Sequence, residues 1–280
     1  MPCMIASKFA YLGQRLSDEL EGFGQFTLFC MSSFFWFFRG VRSWSRPSQL
    51  MPLFYQIGTK SLGVVMIVGM FIGMVLAIEA YNQFASIGQE ARLGGIIGMS
   101  VVKQIGPVLA GVMIAGRVGG SVSAELGTMR VTEQIDAMRV MGADPIAYLV
   151  VPRVVTCVLM LPLLTIFSNL MGVAGGWYIC VRGYGVNAAD YWDFSARFVT
   201  NYDVISGLTK TGFFGLAIGL ISCYKGFNCE NGAAGVGRAA TQAFVTSFIV
   251  IIMMNFFLAK FLRDLYFLLF GHPSVGAFSG

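Results

Sequence analysis

GPVLAGVMIAGRVGGSVSAELGTMRVTEQIDAMRVMGADP, residues 106–145, changes character half-way along. In its first part Gly106, Ala110, Gly111, Ala115, Gly116, Gly119, Gly120, Ser123, Ala124 and Gly127 make small side chains recur four apart. On a helix such residues stack on one face, and in lipid a face without bulk lets another backbone come close. Gly111, Ala115, Gly116, Gly119 and Gly120 are therefore candidate helix-packing positions. In its second part Arg130, Glu133, Asp136, Arg139 and Asp144 alternate with Val131, Ile135 and Met138, the pattern of an amphipathic helix. A packed membrane helix that runs into a charged surface helix suits a part that passes force between a membrane and something beside it.

Composition supports the membrane half of that reading. The 280 residues are 56% hydrophobic and 12% charged, and the mean hydropathy is +0.72. That is too apolar for a soluble surface and indicates an all-α integral membrane protein. The net charge of +5 is spread along the chain, so it reads as loop charge that governs orientation, and nucleic acid is not an expected partner. The six cysteines form no C-x-x-C pair and His272 is the single histidine, which leaves no metal cluster or histidine-based triad to build. There is no G-x-x-x-x-G-K-[ST] loop, and neither GYGVNA nor GVGRAA follows a strand in a βαβ unit, so no nucleotide site is expected in this chain. Glu79, Glu90, Glu125, Glu133 and Asp136 fall on different sides of the expected membrane, which argues against paired carboxylates for acid–base chemistry.

Read in order, residues 1–25 carry apolar side chains three or four apart and should form an amphipathic interfacial helix. The run 26–38, FTLFCMSSFFWFF, is closed by Arg39, Arg42 and Arg46. It falls short of the ~20 residues a span needs, so it is expected at the interface. About five transmembrane helices follow, near 57–80, 93–124, 152–181, 204–224 and 239–259, with a cytoplasmic helix at 130–142. This divides the chain into an N-terminal segment, 1–50, a membrane domain, 51–270, and a short tail, 271–280. A short helix is also expected at 188–199.

Within the second span Lys103, Gln104 and Arg117 are costly unless they face protein, water or a polar ligand group. Lys103 and Gln104 either hold a lipid phosphate or other anionic head group, or satisfy a neighbouring helix or a kinked backbone; Pro107 predicts a kink just beyond them. Arg117 is expected to be structural, paired with Glu125 or a facing helix. Lys210 interrupts the fourth span. With the N-terminus inside, the inner segments hold eleven Lys and Arg and the outer ones five, which puts the N-terminus in the cytoplasm and the C-terminus on the periplasmic side. The charged helix then faces the cytoplasm, where its alternation suits docking in a partner's groove better than a merely solvated face.

The stretch 106–145, with PRVVTCVLMLPLLT at 152–165 and GFNCENGAAGVGRAATQAFV at 226–245, resembles the MlaE (YrbE) family of ABC-transporter permeases that work with MCE-domain proteins. The likeness runs over about 53–257, and the first fifty residues match only in character. The resemblance implies a homodimeric permease in the bacterial inner membrane, with an MCE protein on the periplasmic side and a small STAS-type accessory protein. ATP and Mg would sit in a separate ABC ATPase, and this chain would bind no cofactor. The helix at 130–142 matches the family's coupling helix, which assigns ATPase coupling to Arg130, Glu133, Gln134, Asp136, Met138 and Arg139. By position Tyr81, Lys103 and Gln104, with Glu79 beside them, correspond to polar residues near an outward-open lipid cavity at the dimer interface. Where members of the phospholipid branch often have Arg-Glu before Leu-Gly-Pro, this chain has Lys103-Gln104-Ile105-Gly106-Pro107, a more cationic site. The expected cargo is phospholipid; the alternatives are a permease for steroid or other hydrophobic cargo, and a membrane scaffold that transports nothing.

Overall fold

Backbone polar groups in hydrocarbon have no water to bond, so an apolar chain of this kind must satisfy them within helices. The computed structural model describes residues 2–40 and 47–270; Arg42, Arg46, His272 and the 271–280 tail lie outside the described residues. In chain order the helices are α1 (Pro2–Arg39), α2 (Pro47–Ala85), α3 (Glu90–Val131), α4 (Gln134–Val140), α5 (Ile146–Gly183), α6 (Ala188–Phe198), α7 (Asn201–Phe227) and α8 (Ala233–Phe270). No strand occurs among the described residues. Helices α2, α3, α5, α7 and α8 are long and apolar enough to cross a membrane. The chain is an all-α, multi-pass membrane protein.

Two expectations are corrected at the periphery. The interfacial helix and the aromatic run after it are one continuous helix, α1. Gly22 and Gly24 weaken it by about 1 kcal/mol each, but Phe26 and Phe29 hold it edge-on to Tyr224 of α7, with ring centroids 5.1 and 5.6 Å away. Leu28, Met31, Phe34, Phe35 and Phe38 remain exposed.

The expected charged helix at 130–142 is divided. Arg130 belongs to the last turn of α3, Glu133 adopts left-handed backbone at φ 57°, and α4 is only seven residues long. Thr132 Oγ1 caps the end of α3 by donating to the Thr128 carbonyl at 2.8 Å. A non-glycine residue in that conformation costs on the order of 1–2 kcal/mol. Across the bend, Asp136 accepts from Arg130 and from Arg139 at 3.0 Å each, which fixes the angle between the two helices. At the other end of α4, Gly142 at φ 78° supplies the left-handed exit that a glycine makes without strain.

Helix α5 is the centre of the bundle, with α2 on one side and α7 on the other. A Cβ on Gly73 would overlap the Gly172 carbonyl, and one on Gly69 would lie 2.6 Å from the Ser168 carbonyl oxygen. Here two backbones are in contact over more than one turn. The small residues of α3 are used differently, because most of them receive side chains. Gly111 and Gly119 face Phe214 and Ser222 of α7, Gly116 and Gly120 face Phe244 and the Ala240 carbonyl of α8, and Ala115 is fully buried.

Single π-helical turns interrupt the membrane helices at Tyr55–Thr59 in α2 and at Val101–Ile105 and Ala115–Gly119 in α3, and others form both ends of α5. The kink expected at Pro107 takes the form of the second of these, immediately before Gly106.

Candidate functional site

Helix α7 starts with a capping box. Thr200 precedes the first turn, and Asp203 Oδ2 accepts from the Thr200 N–H at 3.2 Å and from its hydroxyl at 2.6 Å. The other carboxylate oxygen, Oδ1, takes the Lys103 ammonium at 2.8 Å. Lys210 stands two turns further along α7 on the same face. It is only 2% exposed, and its Nζ donates to the Lys103 carbonyl at 3.1 Å and to Gln104 Oε1 at 2.9 Å. That carbonyl is the one for which Pro107, four residues on, has no N–H. The π-turn and the proline thus expose main-chain polarity within a helix long enough to cross a membrane, and a buried ammonium consumes it. One polar network joins α3 to α7.

Beside this network lies a cavity of about 730 Å³ between α3, α7 and α8. Lys103, Lys210, Lys260 and Arg263 bring positive charge to its lining, and Asp203 is the one carboxylate there among the described residues. Met99, Phe256, Leu262 and Phe267 supply apolar wall. The Tyr202 hydroxyl donates to the Leu262 carbonyl at 2.5 Å, and its ring lies 4.7 Å from that of Tyr266, so the start of α7 is fastened to α8. The Lys103 side chain is about half exposed, whereas Asp203 is nearly buried. An anion that enters would meet the lysine first. Such a lining can hold an anionic head group against an apolar surface, within the size range of ligand cavities.

Of the candidate lipid residues, Lys103 and Gln104 are brought together here and Tyr81 and Glu79 are not. Tyr81 stacks on Tyr184 with centroids 3.7 Å apart and planes within 9°, part of a separate cluster around Leu93, Ile97 and Tyr191. Glu79 is exposed on α2. Tyr191 of α6 is buried and donates its hydroxyl to the Val173 carbonyl at 3.1 Å; burial pushes its phenol up, so it stays a donor.

Sequence reasoning missed Thr200, Asp203 and the role of Lys210, although the T-x-x-D pattern before an apolar run was readable as a helix start. Arg117 is a correction. Glu125 is paired with Arg153 of α5, at 2.7 Å from Nη2. Arg153 is 6% exposed and also donates to the Leu149 carbonyl at 2.9 Å. A buried guanidinium suffers more than an exposed one without a counter-charge, so it holds the carboxylate.

At the opposite end of α3 the charged residues have their own geometry. Ile135 is fully buried under α4 and Met138 packs against the core, while Glu133, Gln134 and Arg139 point outward. Val140 and Met141 are 88% and 74% exposed, an apolar tip at the end of a charged helix.

The sequence profile of the family described as Permease MlaE matches residues 50–261. The chain belongs to the MlaE permease family. A probable ABC transporter permease protein of Rickettsia conorii is 40% identical over 253 residues, which is 89% of this chain and 95% of that protein. The intermembrane phospholipid transport system permease protein MlaE of Haemophilus influenzae is 31% identical over 203 residues, 72% of this chain and 78% of its own length. The chloroplastic protein TRIGALACTOSYLDIACYLGLYCEROL 1 of Arabidopsis thaliana is 37% identical over 204 residues, 73% of this chain and 58% of its own. The MlaE match starts after α1, within the first turn of α2, and takes in α3 to α7 whole. Lys103, Gln104, Asp203 and Lys210 therefore lie inside the family's region, and Arg263, Tyr266 and Phe267 lie just beyond it.

Proposed function

We propose that this MlaE-family chain is the permease of an ATP-driven lipid transporter and that the cavity between α3, α7 and α8 receives the head group of a phospholipid. The observation that carries this reading is the cavity itself, where an excess of cations lies against apolar wall at membrane depth. A sterol offers no anion to repay the desolvation of Lys103 and Lys210, so the lining favours phospholipid over steroid cargo. The name of the Haemophilus relative points the same way.

In this reading the protein works as a homodimer in the bacterial inner membrane, with its N-terminus in the cytoplasm, as the distribution of Lys and Arg supports. A separate ABC ATPase binds ATP and Mg and engages α4, at whose C-terminal end the exposed Val140 and Met141 form an apolar knob after Arg139. An MCE protein on the periplasmic side accepts or delivers the lipid, and a small STAS-type protein accompanies the ATPase. Closure of the ATPase pushes α4, and the Arg130–Asp136–Arg139 cluster conveys the push to α3, which bears Lys103 at its other end.

The test is native mass spectrometry of the purified protein with phospholipid and sterol offered together. Phospholipid is expected to be retained, with occupancy lowered by Lys103→Ala. Retention of sterol alone would overturn the assignment of cargo. In proteoliposomes with the partner ATPase, the double change Glu133→Lys and Asp136→Lys is expected to leave ATP hydrolysis running while lipid movement falls. Normal lipid movement in that variant would refute the coupling role of α4.

A further inference from the structure

A second cavity, of about 240 Å³, opens between α2 and α3 on the side of Lys103 toward α4. Arg117, on its wall, stands fourteen residues after Lys103, about 21 Å along the helix axis. Both walls carry a π-turn, Tyr55–Thr59 on α2 and Ala115–Gly119 on α3. They present Gln56 and Lys60 from one side and Arg117, Ser121 and Glu125 from the other, with Ile57 and Val118 between.

The charges do not balance within the protein. Glu125 is already held by Arg153, and neither Lys60 nor Arg117 makes an ion pair among the described residues. The Lys60 ammonium rests 5.7 Å from the centre of the Tyr55 ring, a contact that leaves its charge uncompensated. Two exposed cations on membrane-spanning helices, at one cavity whose carboxylate is committed to Arg153, call for an anion. An ammonium and a guanidinium beside an amide and a hydroxyl match the oxygens of a phosphodiester.

The surroundings indicate that the phosphodiester belongs to a lipid. Val64, Ile67 and Phe71 follow Lys60 at helical spacing on one face of α2 and are 38%, 58% and 57% exposed. This apolar stripe leads away from the cavity toward the opposite end of α2, the direction in which acyl chains point from a head group on the cytoplasmic side to the bilayer centre.

We propose that the cavity between α2 and α3 is a second lipid site, at which Lys60 and Arg117 hold the phosphodiester of a cytoplasmic-leaflet phospholipid whose chains lie along Val64, Ile67 and Phe71. The proposal rests on the lipid-permease reading above and on its orientation. It gives α3 two anion stations at different depths, the outer one at Lys103 and the inner one at Arg117.

The experiment titrates the full chain, purified in detergent, with phosphatidylglycerol and counts bound lipid by native mass spectrometry. Wild type is expected to show two binding steps per chain. The double variant Lys60→Ala and Arg117→Ala should weaken one of them roughly tenfold to a hundredfold, the worth of one or two charge-assisted hydrogen bonds, and Lys103→Ala should weaken the other. The charge-conserving pair Lys60→Arg and Arg117→Lys should restore the first step. Equal loss in that pair would assign the two residues a structural role and overturn the proposal. Two unchanged steps in the alanine double variant would also overturn it, while leaving the outer site standing if Lys103→Ala still lowers occupancy. Displacement of the inner step by millimolar inorganic phosphate would show a site for the free ion and overturn the lipid assignment; resistance to phosphate supports it. Failure of Lys103→Ala alone would count against the outer site and not against this one.

Discussion

The crossing of α2 with α5 and the cavity between α3, α7 and α8 solve the same problem in opposite ways. Both lie in a bundle that gains little from excluding lipid, since the tails are as apolar as the side chains. At the crossing, Gly69 and Gly73 bring carbonyls of α5 to within van der Waals distance of the α2 backbone, and dispersion between close surfaces holds the helices. At the cavity, Lys103, Asp203, Gln104 and Lys210 hold α3 and α7 together through polar bonds, and the Tyr202 hydroxyl and ring join the start of α7 to α8. The first contact has no room to move. The second can part by trading one set of polar partners for another, as the entry of a lipid head group would require.

Substitutions should separate the two. The largest effect is expected from Gly73→Leu, because the added side chain overlaps the backbone of α5; the cost should exceed the roughly 1–3 kcal/mol of ordinary over-packing, and the measurement is the yield of folded protein and its melting temperature in detergent. Near-normal stability would show that the crossing yields like the cavity. Next comes Lys210→Met, which leaves the Lys103 carbonyl and Gln104 Oε1 without their donor and should cost on the order of 1–3 kcal/mol. Lipid occupancy should fall with it. An unchanged melting temperature would mean that the buried ammonium is not what joins α3 to α7. The smallest effect is expected from Tyr202→Phe, about 1 kcal/mol for one hydrogen bond. Cross-linking between introduced cysteines on α7 and α8 should nevertheless become less efficient, since the bond fastens those two helices.

Most of the fold was legible because hydropathy and helix punctuation are local properties. Each expected span lies within a helix long enough to cross, and Gly142 and the helix near 188–199 fall where their signals put them. Legibility failed where a residue's partner lies far along the chain. Lys103 and Gln104 stood out as misplaced polarity, but nothing in their neighbourhood could name Asp203 and Lys210, about a hundred residues away, as the groups that satisfy them. Glu125 stood as one of two expected partners of Arg117, the other being a facing helix, because the competing claim of Arg153 depends on how α5 buries that guanidinium. The division of the helix at 130–142 was hidden for another reason. Neither glycine nor proline marks it, since Glu133 takes the left-handed turn under the constraint of the arginine pair on Asp136.

The π-turns have a consequence for how this bundle can change over generations. Each holds one residue more than an α-turn in the same place, and one residue is about 100° of rotation on a helix. Because the wide turn absorbs its extra residue within one revolution, deleting a single residue from Val101–Ile105 would restore regular winding and leave both flanks of α3 on their bearing, whereas the same deletion in a regular turn would rotate one flank by that angle. Loss of one codon at this turn can therefore change the local winding around Lys103 while Arg117 and the helix end that leads to α4 keep their bearings. The two ends of the same rod can change independently.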